Sequence, residues 1–329
     1  MAKAHYVGWW NLENLFDEEH SLDRTDKVRR ALGQSIVGWT PALRDRKISQ
    51  LASVIVQMND GAGPDLLGVC EVENRTVLNL LVAEVNARLP NRLYQVVHAD
   101  TSDARGIDVA FLYDPSVFEV PPDQTFFHVV MRRNATRAIV QVNFRTLPAG
   151  RTWSIFGNHW PSRSGGAAES AGYRNIAGET LGYFHERVLE VHGPDTPVLA
   201  MGDFNDEPFD PSLVIHAAST RQREKVVNAT PAAPRLWNLM WPPMGTPDGS
   251  FYFDNQPNQL DQFLVNTNMA EATSPLRAEP DTVQTLKFPE TVDDGDYPKP
   301  RPFGGMGKPI DQDGYSDHFP IGMRVTEAD

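Results

Sequence analysis

The stretch TPVLAMGDFNDEP, residues 196–208, joins an apolar run to a cluster of oxygen-bearing side chains. A short apolar run bounded by polar residues predicts a buried β-strand. The side chains that follow it are those of Asp203, Asn205, Asp206 and Glu207. Such residues commonly form a turn, but carboxylate and amide oxygens are also the ligands that Mg²⁺ prefers. The stretch therefore predicts a strand end, and it leaves open whether the oxygens serve a turn or a metal ion.

The same pattern, a short apolar run that ends in polar residues, recurs along the chain. Several of these runs are four to eight residues long and rich in β-branched or aromatic residues, which suits buried strands better than helices. The runs are HYVGWWNLEN (5–14), DLLGVCEVEN (65–74), LYQVVHAD (93–100), IDVAFLYD (107–114), AIVQVNF (138–144), TWSIFGNHW (152–160), LDQFLV (260–265) and HFPIGMRV (318–325).

Helical patterns lie between the strand patterns. Residues 44–59 place apolar side chains at three- and four-residue spacing, and so do TVLNLLVAEVNARL (76–89) and residues 169–190. This spacing predicts amphipathic helices. Strands interleaved with helices predict layered α/β packing.

Length and composition are those of a globular protein. The chain has 329 residues, of which 40% are hydrophobic and 22% are charged. We expect a single domain over residues 1–329, with long Pro- and Gly-rich surface loops at about 228–259 and 277–315. Loops of this length in a compact domain are usually functional or mobile, so we expect them near the site.

The formal net charge of −13 is evidence against binding of nucleic acid through a broad basic surface. A nuclease remains compatible with it, because bound divalent cations supply positive charge where the phosphate lies. Cys70 is the only cysteine, which rules out an intrachain disulfide and a thiolate zinc cluster. Because residues 1–20 contain no uninterrupted apolar signal segment, we expect a cytoplasmic protein. No stretch approaches the roughly 18 apolar residues of a membrane span.

Polar residues with metal-binding oxygens stand at several predicted strand ends. Besides Asp203 and Asn205, these are Asn11 after VGWW, Glu71 after LLGVC, and Asp317 before the last strand. Each residue alone is more typical of a turn or helix cap than of a ligand. Their combination is the informative feature.

The motifs WNLENL, GVCEVEN, RGIDVAFLYD, GNHWPSR, GDFNDEP, LDQFLV and SDHFP occur in this order over about residues 6–326. In these motifs the sequence resembles the endonuclease/exonuclease/phosphatase family, which includes pancreatic-type deoxyribonucleases, apurinic nucleases, neutral sphingomyelinases and inositol polyphosphate 5-phosphatases. The resemblance implies a four-layer α/β sandwich, two packed mixed β-sheets flanked by helices. It also implies that the motif strands end at one edge of that sandwich.

The resemblance implies a divalent-metal site for Mg²⁺ or Mn²⁺. Glu71 matches the principal metal carboxylate of the family, with Asn11 beside it and Asp317 close enough to join. Asp203 and Asn205 match the pair that orients the attacking water and contacts the phosphate. Asp203 could instead be the general base or a ligand of a second metal.

Two histidines are implied to contact the phosphate. His318 matches the family histidine that contacts the scissile phosphate, and Asp261 matches its carboxylate partner. His159 matches the second family histidine, which assists phosphate stabilisation or protonation of the leaving group. For His159 the candidate partner is Asp108, with Asp100 as the alternative.

Cationic and aromatic side chains complete the set of candidates. Arg137 stands where the family has an arginine aimed at phosphate, and Arg105 and Arg163 lie in motif loops where guanidinium groups could bind phosphate. Four aromatic residues in a loop-rich segment could stack on a base or cover an apolar substrate group. They are Trp237, Trp241, Phe251 and Tyr252.

The function implied is that of a divalent-metal-dependent phosphodiesterase that hydrolyses phosphoester bonds by in-line attack of water. The expected substrate is DNA or RNA. One alternative is a small phosphoester, such as a lipid headgroup, sugar phosphate or nucleotide. Another is a noncatalytic binding protein on the same fold, which would be expected to have lost metal or histidine positions. The sequence indicates no protein partner.

Overall fold

The computed structural model describes residues 2–101, 103, 105–132 and 136–328. Its strands are β1 (Lys3–Leu15), β2 (Leu66–Val72), β3 (Gln95–Val97), β4 (Asp108–Tyr113), β5 (Phe118–Glu119), β6 (Thr125–His128), β7 (Ile139–Thr146), β8 (Thr152–His159), β9 (Val198–Asp203), β10 (Ser219–Thr220), β11 (Leu236–Asn238), β12 (Phe251–Phe253), β13 (Gln256–Asn258), β14 (Asp261–Val265), β15 (Leu276–Thr285) and β16 (Ile321–Glu327). Its α-helices are α1 (Asp26–Leu32), α2 (Pro41–Gln57), α3 (Arg75–Arg88), α4 (Ala167–His192), α5 (Arg223–Val227) and α6 (Thr267–Ala270).

Two mixed sheets form the centre of the fold. The six-stranded sheet has the order β15-β16-β1-β2-β4-β3, and only β1 and β2 in it run parallel. The eight-stranded sheet has the order β10-β11-β14-β9-β8-β7-β5, with β6 also paired to β7. In that sheet β8 and β9 are parallel neighbours. The hairpin of β12 and β13 stands apart from both sheets.

The main apolar core lies between the two sheets. Trp9 and Phe111 enter it from the six-stranded sheet, and Phe144, Met201 and Phe263 enter it from the eight-stranded sheet. All five side chains are fully buried. Burial of a side chain of this size contributes about 1.5–3 kcal/mol. The facing of two apolar sheet surfaces therefore holds the sandwich together.

Helices cover the outer face of each sheet. Leu51 of α2 and Leu81 of α3 pack with Leu67 of β2 on the outside of the six-stranded sheet. Leu181 of α4 packs with Phe156 of β8 on the outside of the eight-stranded sheet. The chain thus has the predicted four layers, with two mixed sheets between helices.

The three helical patterns predicted from sequence are confirmed as α2, α3 and α4. The side chain of Thr40 accepts a hydrogen bond from the Leu43 amide at the start of α2, and Asn74 does the same for Val77 at the start of α3. Such caps satisfy amides that a helix cannot pair internally. Within the described ranges, no helix combines the length and apolar character needed to cross a bilayer.

The predicted long loops contain more regular structure than the sequence indicated. The segment 228–259 includes β11 and the hairpin of β12 and β13, and the segment 277–315 begins with most of β15, so a loop over that whole range is wrong. Pro280 misled the prediction, since proline is rare within sheets. It is tolerated because β15 is an edge strand and its pairing is interrupted between Glu279 and Gln284.

Strand pairing brings the predicted site residues to one edge of the sandwich. His159, the last residue of β8, pairs with Asp203, the last residue of β9. Asp203 also pairs with Asp261, the first residue of the antiparallel β14. In the other sheet Asn11 pairs with the residue before Glu71. Residues hundreds of positions apart thereby meet where the two sheets face one another.

Candidate active site

The carboxylate of Asp203 lies at the centre of a cluster drawn from several strand ends. Its Oδ2 accepts a hydrogen bond of 3.1 Å from Asn11 Nδ2. The same oxygen lies 3.7 Å from His159 Nε2 and 3.9 Å from His318 Nε2. Asp203 itself is only 2% exposed. The structure therefore brings four of the predicted site residues together around one buried oxygen.

The surroundings of Asp203 change its acidity. Burial, reinforced by the charge of Asp261, raises the pKa of Asp203 to about 7, while His318 opposes the shift. Burial acts in this direction because it disfavours the charged carboxylate. A carboxyl group with a pKa near neutrality can both accept and release a proton under ordinary conditions.

Asn205 is held beside Asp203 by an unusual backbone conformation. Its φ is 51°, in the left-handed region that asparagine tolerates better than most residues. Its backbone amide donates to Asp203 Oδ1 over 3.0 Å, and its side-chain Nδ2 donates to the carbonyl of Trp160 over 3.1 Å. The turn after β9 therefore fixes the side chains of both residues.

His318 and Asp261 form a buried pair. His318 Nδ1 lies 2.7 Å from Asp261 Oδ2, and the other oxygen of Asp261 accepts a hydrogen bond of 3.0 Å from Trp9 Nε1. Burial disfavours the imidazolium, but Asp261, Asp203 and Asp317 outweigh it and raise the pKa of His318 to about 10. His318 is thus cationic at neutral pH, with Nε2 directed towards Asp203.

Glu71 stands beside this cluster on a strained backbone. Its φ is 63°, which is uncommon for a residue with a side chain and is typical of functional positions. Glu71 Oε2 accepts a hydrogen bond of 3.0 Å from the Asn14 amide. Its Oε1 lies 3.5 Å from His159 Nε2 and 4.0 Å from Arg105 Nη2. One carboxylate oxygen is therefore anchored, and the other faces the cluster.

Asp317 lies in a turn that is fastened to β1. Ser316 Oγ donates to the carbonyl of Asn11 over 2.6 Å and accepts from the His318 amide over 3.1 Å. The carboxylate of Asp317 lies 3.4 Å from Lys308 Nζ and is more exposed than the carboxylates of the cluster. Asp317 thus belongs to the rim of the cleft, next to the strand that carries Asn11.

His159 is almost completely buried, and its Nε2 faces both Glu71 and Asp203. Burial, together with the charges of Arg137 and Arg105, lowers the pKa of His159 well below its ordinary value. The imidazole is therefore neutral at physiological pH. The two histidines of the cleft thus differ in charge because their surroundings differ.

The structure does not bring Asp108 to His159. His159 Nδ1 has no hydrogen-bond partner among the described residues. Asp108 Oδ1 instead accepts from the amide and hydroxyl of Thr101, and Asp108 Oδ2 lies 3.6 Å from His98 Nε2. The alternative partner, Asp100, groups with His98 and Asp108. The predicted pairing of Asp108 with His159 needs correction, because the start of β4 directs this carboxylate towards the segment after β3.

Comparison with known proteins shows the family of this chain. The model of the endonuclease/exonuclease/phosphatase family matches residues 6–327. The chain belongs to this family. Comparison with curated proteins gives no match.

Three solved structures show the same fold over nearly the full length of both chains. An endonuclease/exonuclease/phosphatase family protein from Bacteroides thetaiotaomicron has 14% identity and a TM-score of 0.57, with 100% of this chain and 99% of that chain covered. A mannosyl-6-phosphatase from Bacteroides thetaiotaomicron VPI-5482 has 16% identity and a TM-score of 0.56, with 98% and 99% covered. A truncated TDP2 from Caenorhabditis elegans has 14% identity and a TM-score of 0.55, with 99% and 98% covered. At such low identity these structures support the fold alone.

Two of the three predicted phosphate-binding arginines lie at the cleft of this family member. Arg137 is buried; its Nη2 donates to the carbonyl of Trp160 over 3.0 Å, and its Nη1 lies 3.5 Å from Asp103 Oδ2. The side chain of Arg105 is 49% exposed and approaches Glu71. The guanidinium group of Arg105 is therefore open to the cleft, whereas that of Arg137 is buried against the Trp160 carbonyl.

Arg163 is engaged elsewhere. Its Nε donates to the carbonyl of Asn205 over 2.7 Å, and its Nη2 binds Asp206 at 3.1 Å and Asp210 at 2.8 Å. Because its guanidinium group already holds the turn after β9, Arg163 positions Asn205 in this structure. The predicted contact of Arg163 with phosphate finds no support in these bonds.

The residues around Glu71 fit a divalent cation. Glu71 Oε1 and Asp203 Oδ2 both lie within 4 Å of His159 Nε2, so two carboxylates face one small space. The closest arginine nitrogen, Arg105 Nη2, is 4.0 Å from Glu71. Carboxylate and amide oxygens suit Mg²⁺ or Mn²⁺. Glu71 Oε1 and Asp203 Oδ2 are therefore the carboxylate oxygens that face this space, with Asn11 hydrogen-bonded to Asp203 and Asp317 at the rim.

Sequence reasoning did not identify Lys47 as part of this region. Lys47 of α2 is fully buried, donates from Nζ to the carbonyl of Glu13 and lies 4.9 Å from the ring centre of Phe303. Burial lowers the pKa of Lys47, against the opposing charges of Glu13, Asp317 and Glu71. The signal was present, because Lys47 lies four residues before Leu51 on the apolar face of the helix.

Cys70 does not serve as a thiolate here. Its sulfur lies in one group with His159 and Asp203, whose ligand atoms are all within 4.8 Å of one another. Burial, together with the charges of Asp203 and Glu71, raises the pKa of Cys70 well above its ordinary value. The thiol therefore stays protonated and acts as a small apolar side chain.

Proposed function

We propose that the chain is a divalent-metal-dependent phosphodiesterase that hydrolyses a phosphorus–oxygen bond by in-line attack of water, with nucleic acid as the preferred substrate. The observation that carries the proposal is the convergence of Asn11, His159 and His318 on Asp203 Oδ2, with Glu71 alongside. The carboxylates of Asp203 and Glu71, the neutral imidazole of His159 and the cationic imidazole of His318 thus each lie 3.5 to 3.9 Å from another member of the set.

Glu71 and Asn11, with Asp317 at the rim, would hold Mg²⁺ or Mn²⁺. When bound there, the ion would polarise a phosphoryl oxygen and neutralise charge on the leaving group. The other residues would act on the water and the phosphate directly.

Asp203 and Asn205 are the pair best placed to act on the attacking water. The raised pKa of Asp203, about 7, lets its carboxylate take a proton as the water oxygen bonds to phosphorus. The backbone of Asn205 anchors Asp203 Oδ1 and leaves Oδ2 towards the two histidines. The proton of the water thus has an acceptor within the cluster.

The two histidines would stabilise the phosphate in different ways. His318, cationic through its pair with Asp261, would donate from Nε2 to a non-bridging oxygen as negative charge develops in the transition state. His159 is neutral and would act as a hydrogen-bond donor or acceptor at the leaving oxygen. Arg105 would add a guanidinium contact from the open side of the cleft.

Aromatic residues next to His318 favour a nucleic-acid substrate. The ring of Phe251 lies 4.8 Å from the ring of His318. Phe253 points to the same side of β12, because side chains alternate along a strand, and it is 71% exposed. A base beside the scissile phosphate could stack on this ring, a contact worth about 1–3 kcal/mol.

A small phosphoester is the second candidate substrate. The structural similarity to a mannosyl-6-phosphatase is compatible with it, and so is the net charge of −13, which disfavours long polyanions. A noncatalytic binding protein is the least supported alternative, since every expected metal and histidine position is filled.

Four substrates separate these possibilities: supercoiled plasmid, single-stranded RNA, a chromogenic phosphodiester and a chromogenic phosphomonoester. Each is tested with Mg²⁺, with Mn²⁺ and with chelator. We expect nicking of the plasmid or cleavage of the RNA in the presence of metal, and loss of this activity in His318→Gln. Hydrolysis of the monoester alone would contradict a phosphodiesterase, and no hydrolysis of any substrate would favour the binding protein.

A matched variant tests the preference for nucleic acid. Phe253→Ser should weaken cleavage of polynucleotide roughly fivefold to a hundredfold, the range that a lost stacking contact predicts. The same variant should affect hydrolysis of a methyl nitrophenyl phosphodiester much less, because that substrate carries no nucleobase beside the scissile phosphate. Equal effects on both substrates would count against nucleic acid.

A further inference from the structure

A second cluster of ligand-type side chains lies beside the cleft and shares no residue with it. A ring nitrogen of His98, a carboxylate oxygen of Asp100 and a carboxylate oxygen of Asp108 all lie within 4.8 Å of one another. His98 follows β3 and Asp108 begins β4, so the cluster joins the two ends of one connecting segment. No role in the proposed hydrolysis uses these three residues.

The Nε2 nitrogen of His98 is buried, and no hydrogen bond within the described residues explains its position. The side chain of His98 is 2% exposed, and Nε2 has no hydrogen-bond partner among the described residues. This nitrogen lies 3.6 Å from Asp108 Oδ2, which is too long for a hydrogen bond. A buried nitrogen left unbonded normally costs about 1–3 kcal/mol. The nitrogen and the carboxylate therefore face a common point without bonding each other.

The spacing of these atoms suits a small metal ion. Ligand bonds of about 2.1 Å at tetrahedral angles place neighbouring ligand atoms about 3.4 Å apart. The 3.6 Å between His98 Nε2 and Asp108 Oδ2 is close to this value. Two bonds from Thr101 to Asp108 Oδ1 orient the carboxylate so that Oδ2 is the free oxygen. This is the supporting hydrogen bonding that metal ligands usually have.

Space and charge next to the cluster are also favourable for a cation. Asp100 and Asp108 line a cavity of about 220 Å³. Five carboxylates and two cationic side chains line that cavity among the described residues. One of the cations, Arg24, is already bound to Glu73 through Nε at 2.7 Å and Nη2 at 2.8 Å. The cavity wall therefore keeps an excess of negative charge and has room for a water ligand.

We propose that His98, Asp100 and Asp108 form a second metal site, which binds a first-row transition metal of the Zn²⁺ class with water from the cavity as a further ligand. One imidazole and two carboxylates suit Zn²⁺ or Co²⁺, whereas Mg²⁺ and Ca²⁺ prefer all-oxygen sites. The segment between the ligands carries Asp103, which pairs with Arg137, and Arg105, which approaches Glu71. A metal at this site would fix the segment that presents Arg105 to the cleft.

Metal binding, and not hydrolysis, is the direct test. Metal-stripped full-length protein is titrated with Co²⁺ in excess Mg²⁺, which occupies the oxygen site of the cleft, and the visible absorption of Co²⁺ is recorded. Equilibrium dialysis with Zn²⁺ gives the stoichiometry. We expect one equivalent of Zn²⁺ to be retained under excess Mg²⁺, and we expect Glu71→Gln to retain it as well.

Three further variants assign the ligands. Asp100→Asn, at an exposed position that should not disturb folding, should weaken Zn²⁺ binding about tenfold or more. His98→Gln should abolish the Co²⁺ band, with circular dichroism as the check on folding. Asp23→Asn is the matched control, because this exposed carboxylate lines the same cavity but lies outside the cluster.

A second metal site and binding in the cleft alone predict different results for these variants. Equal affinities for Asp100→Asn and the wild type would overturn the proposal, as would equal losses in Asp100→Asn and Asp23→Asn. Loss of Zn²⁺ in Glu71→Gln with full retention in Asp100→Asn would show that the cleft alone binds the metal. Retention in Glu71→Gln together with loss in Asp100→Asn would establish the second site.

Discussion

Replacing Asp261 by asparagine keeps the shape of the side chain and removes its charge. In the structure Asp261 Oδ2 lies 2.7 Å from His318 Nδ1, and both side chains are buried. Asp261, with smaller contributions from Asp203 and Asp317, raises the pKa of His318 from 6.5 to about 10 against the effect of burial. At 1.36 kcal/mol per pKa unit this corresponds to about 5 kcal/mol in favour of the imidazolium.

Without the charge of Asp261 the pKa of His318 falls, because burial is then opposed only by Asp203 and Asp317, and the imidazole loses the carboxylate that orients it. A preorganised donor to a transition-state oxygen typically contributes about 10²–10³ in rate, or about 3–4 kcal/mol. We expect Asp261→Asn to lower kcat/KM for a chromogenic phosphodiester by that factor, measured at saturating Mg²⁺ or Mn²⁺. The thermal midpoint should also fall, since breaking a buried ion pair leaves a polar group uncompensated.

The chain offers a control for the loss of stability. His5 Nε2 and Glu327 Oε2 form another buried pair, 2.9 Å apart. His5 lies six residues before Asn11 on β1, about 20 Å from the cleft at ~3.3 Å per residue. Glu327→Gln should therefore reduce stability and leave kcat unchanged. The role given to His318 would be refuted if kcat/KM for Asp261→Asn stayed within about threefold of the wild-type value. It would also be refuted if Asp261→Asn and Glu327→Gln lowered kcat/KM equally.

Three further predictions concern single residues. Arg105→Ala should raise KM for the phosphodiester about tenfold or more, because a charged hydrogen bond contributes about 1.5–3 kcal/mol. The thermal midpoint should change little. An unchanged KM would exclude contact of Arg105 with the substrate. Arg163→Ala should instead lower the thermal midpoint by several degrees, since Asp206 and Asp210 lose a partner; an effect on KM alone would contradict this. His185 is buried, and burial lowers its pKa from 6.5 to about 4. Because the unfolded chain binds this proton and the folded chain does not, stability should fall by up to about 3 kcal/mol as pH drops from 6.5 to 4. His185→Gln should flatten that part of the profile in urea denaturation, and an unchanged slope would contradict it.

The sequence predicted the fold through the strand ends. An apolar run followed by polar residues marks the end of a strand, and the motif order of the family resemblance places Asn11, Glu71, His159 and Asp203 at one edge. The structure confirms the two mixed sheets and the helices outside them. Periodicity made the alternation of strands and helices accessible, whereas the two mixed sheets were implied by the family resemblance that the motif order carries.

Features that depend on side-chain direction were not accessible. Asp108 lies in a family motif and begins β4, which suggested a place in the cleft. Its carboxylate points instead to Thr101 and His98. Arg163 lies in a motif loop, and only the folded chain shows that the carboxylates after β9 occupy it. A strand pattern in the sequence does not show which nearby charged group a given side chain will pair with.

Buried polar partners form a second class that was missed. The ring of Trp9 packs in the core between the sheets, but its indole nitrogen also orients Asp261. Lys47 lies on the apolar face of α2, where its buried charge depends on Glu13, Asp317 and Glu71. These roles could not be predicted, because the partner of each side chain lies on another sheet or loop that is distant in sequence.

Hydrolysis of a chromogenic phosphodiester by metal-stripped protein tests the central claim most directly. The claim is that Glu71 and its neighbours hold a divalent cation on which phosphoester hydrolysis depends. We predict no hydrolysis by the stripped wild type, recovery when Mg²⁺ or Mn²⁺ is added, and no recovery in Glu71→Gln under the same conditions. Full activity in the presence of chelator, or equal recovery in Glu71→Gln, would contradict the account.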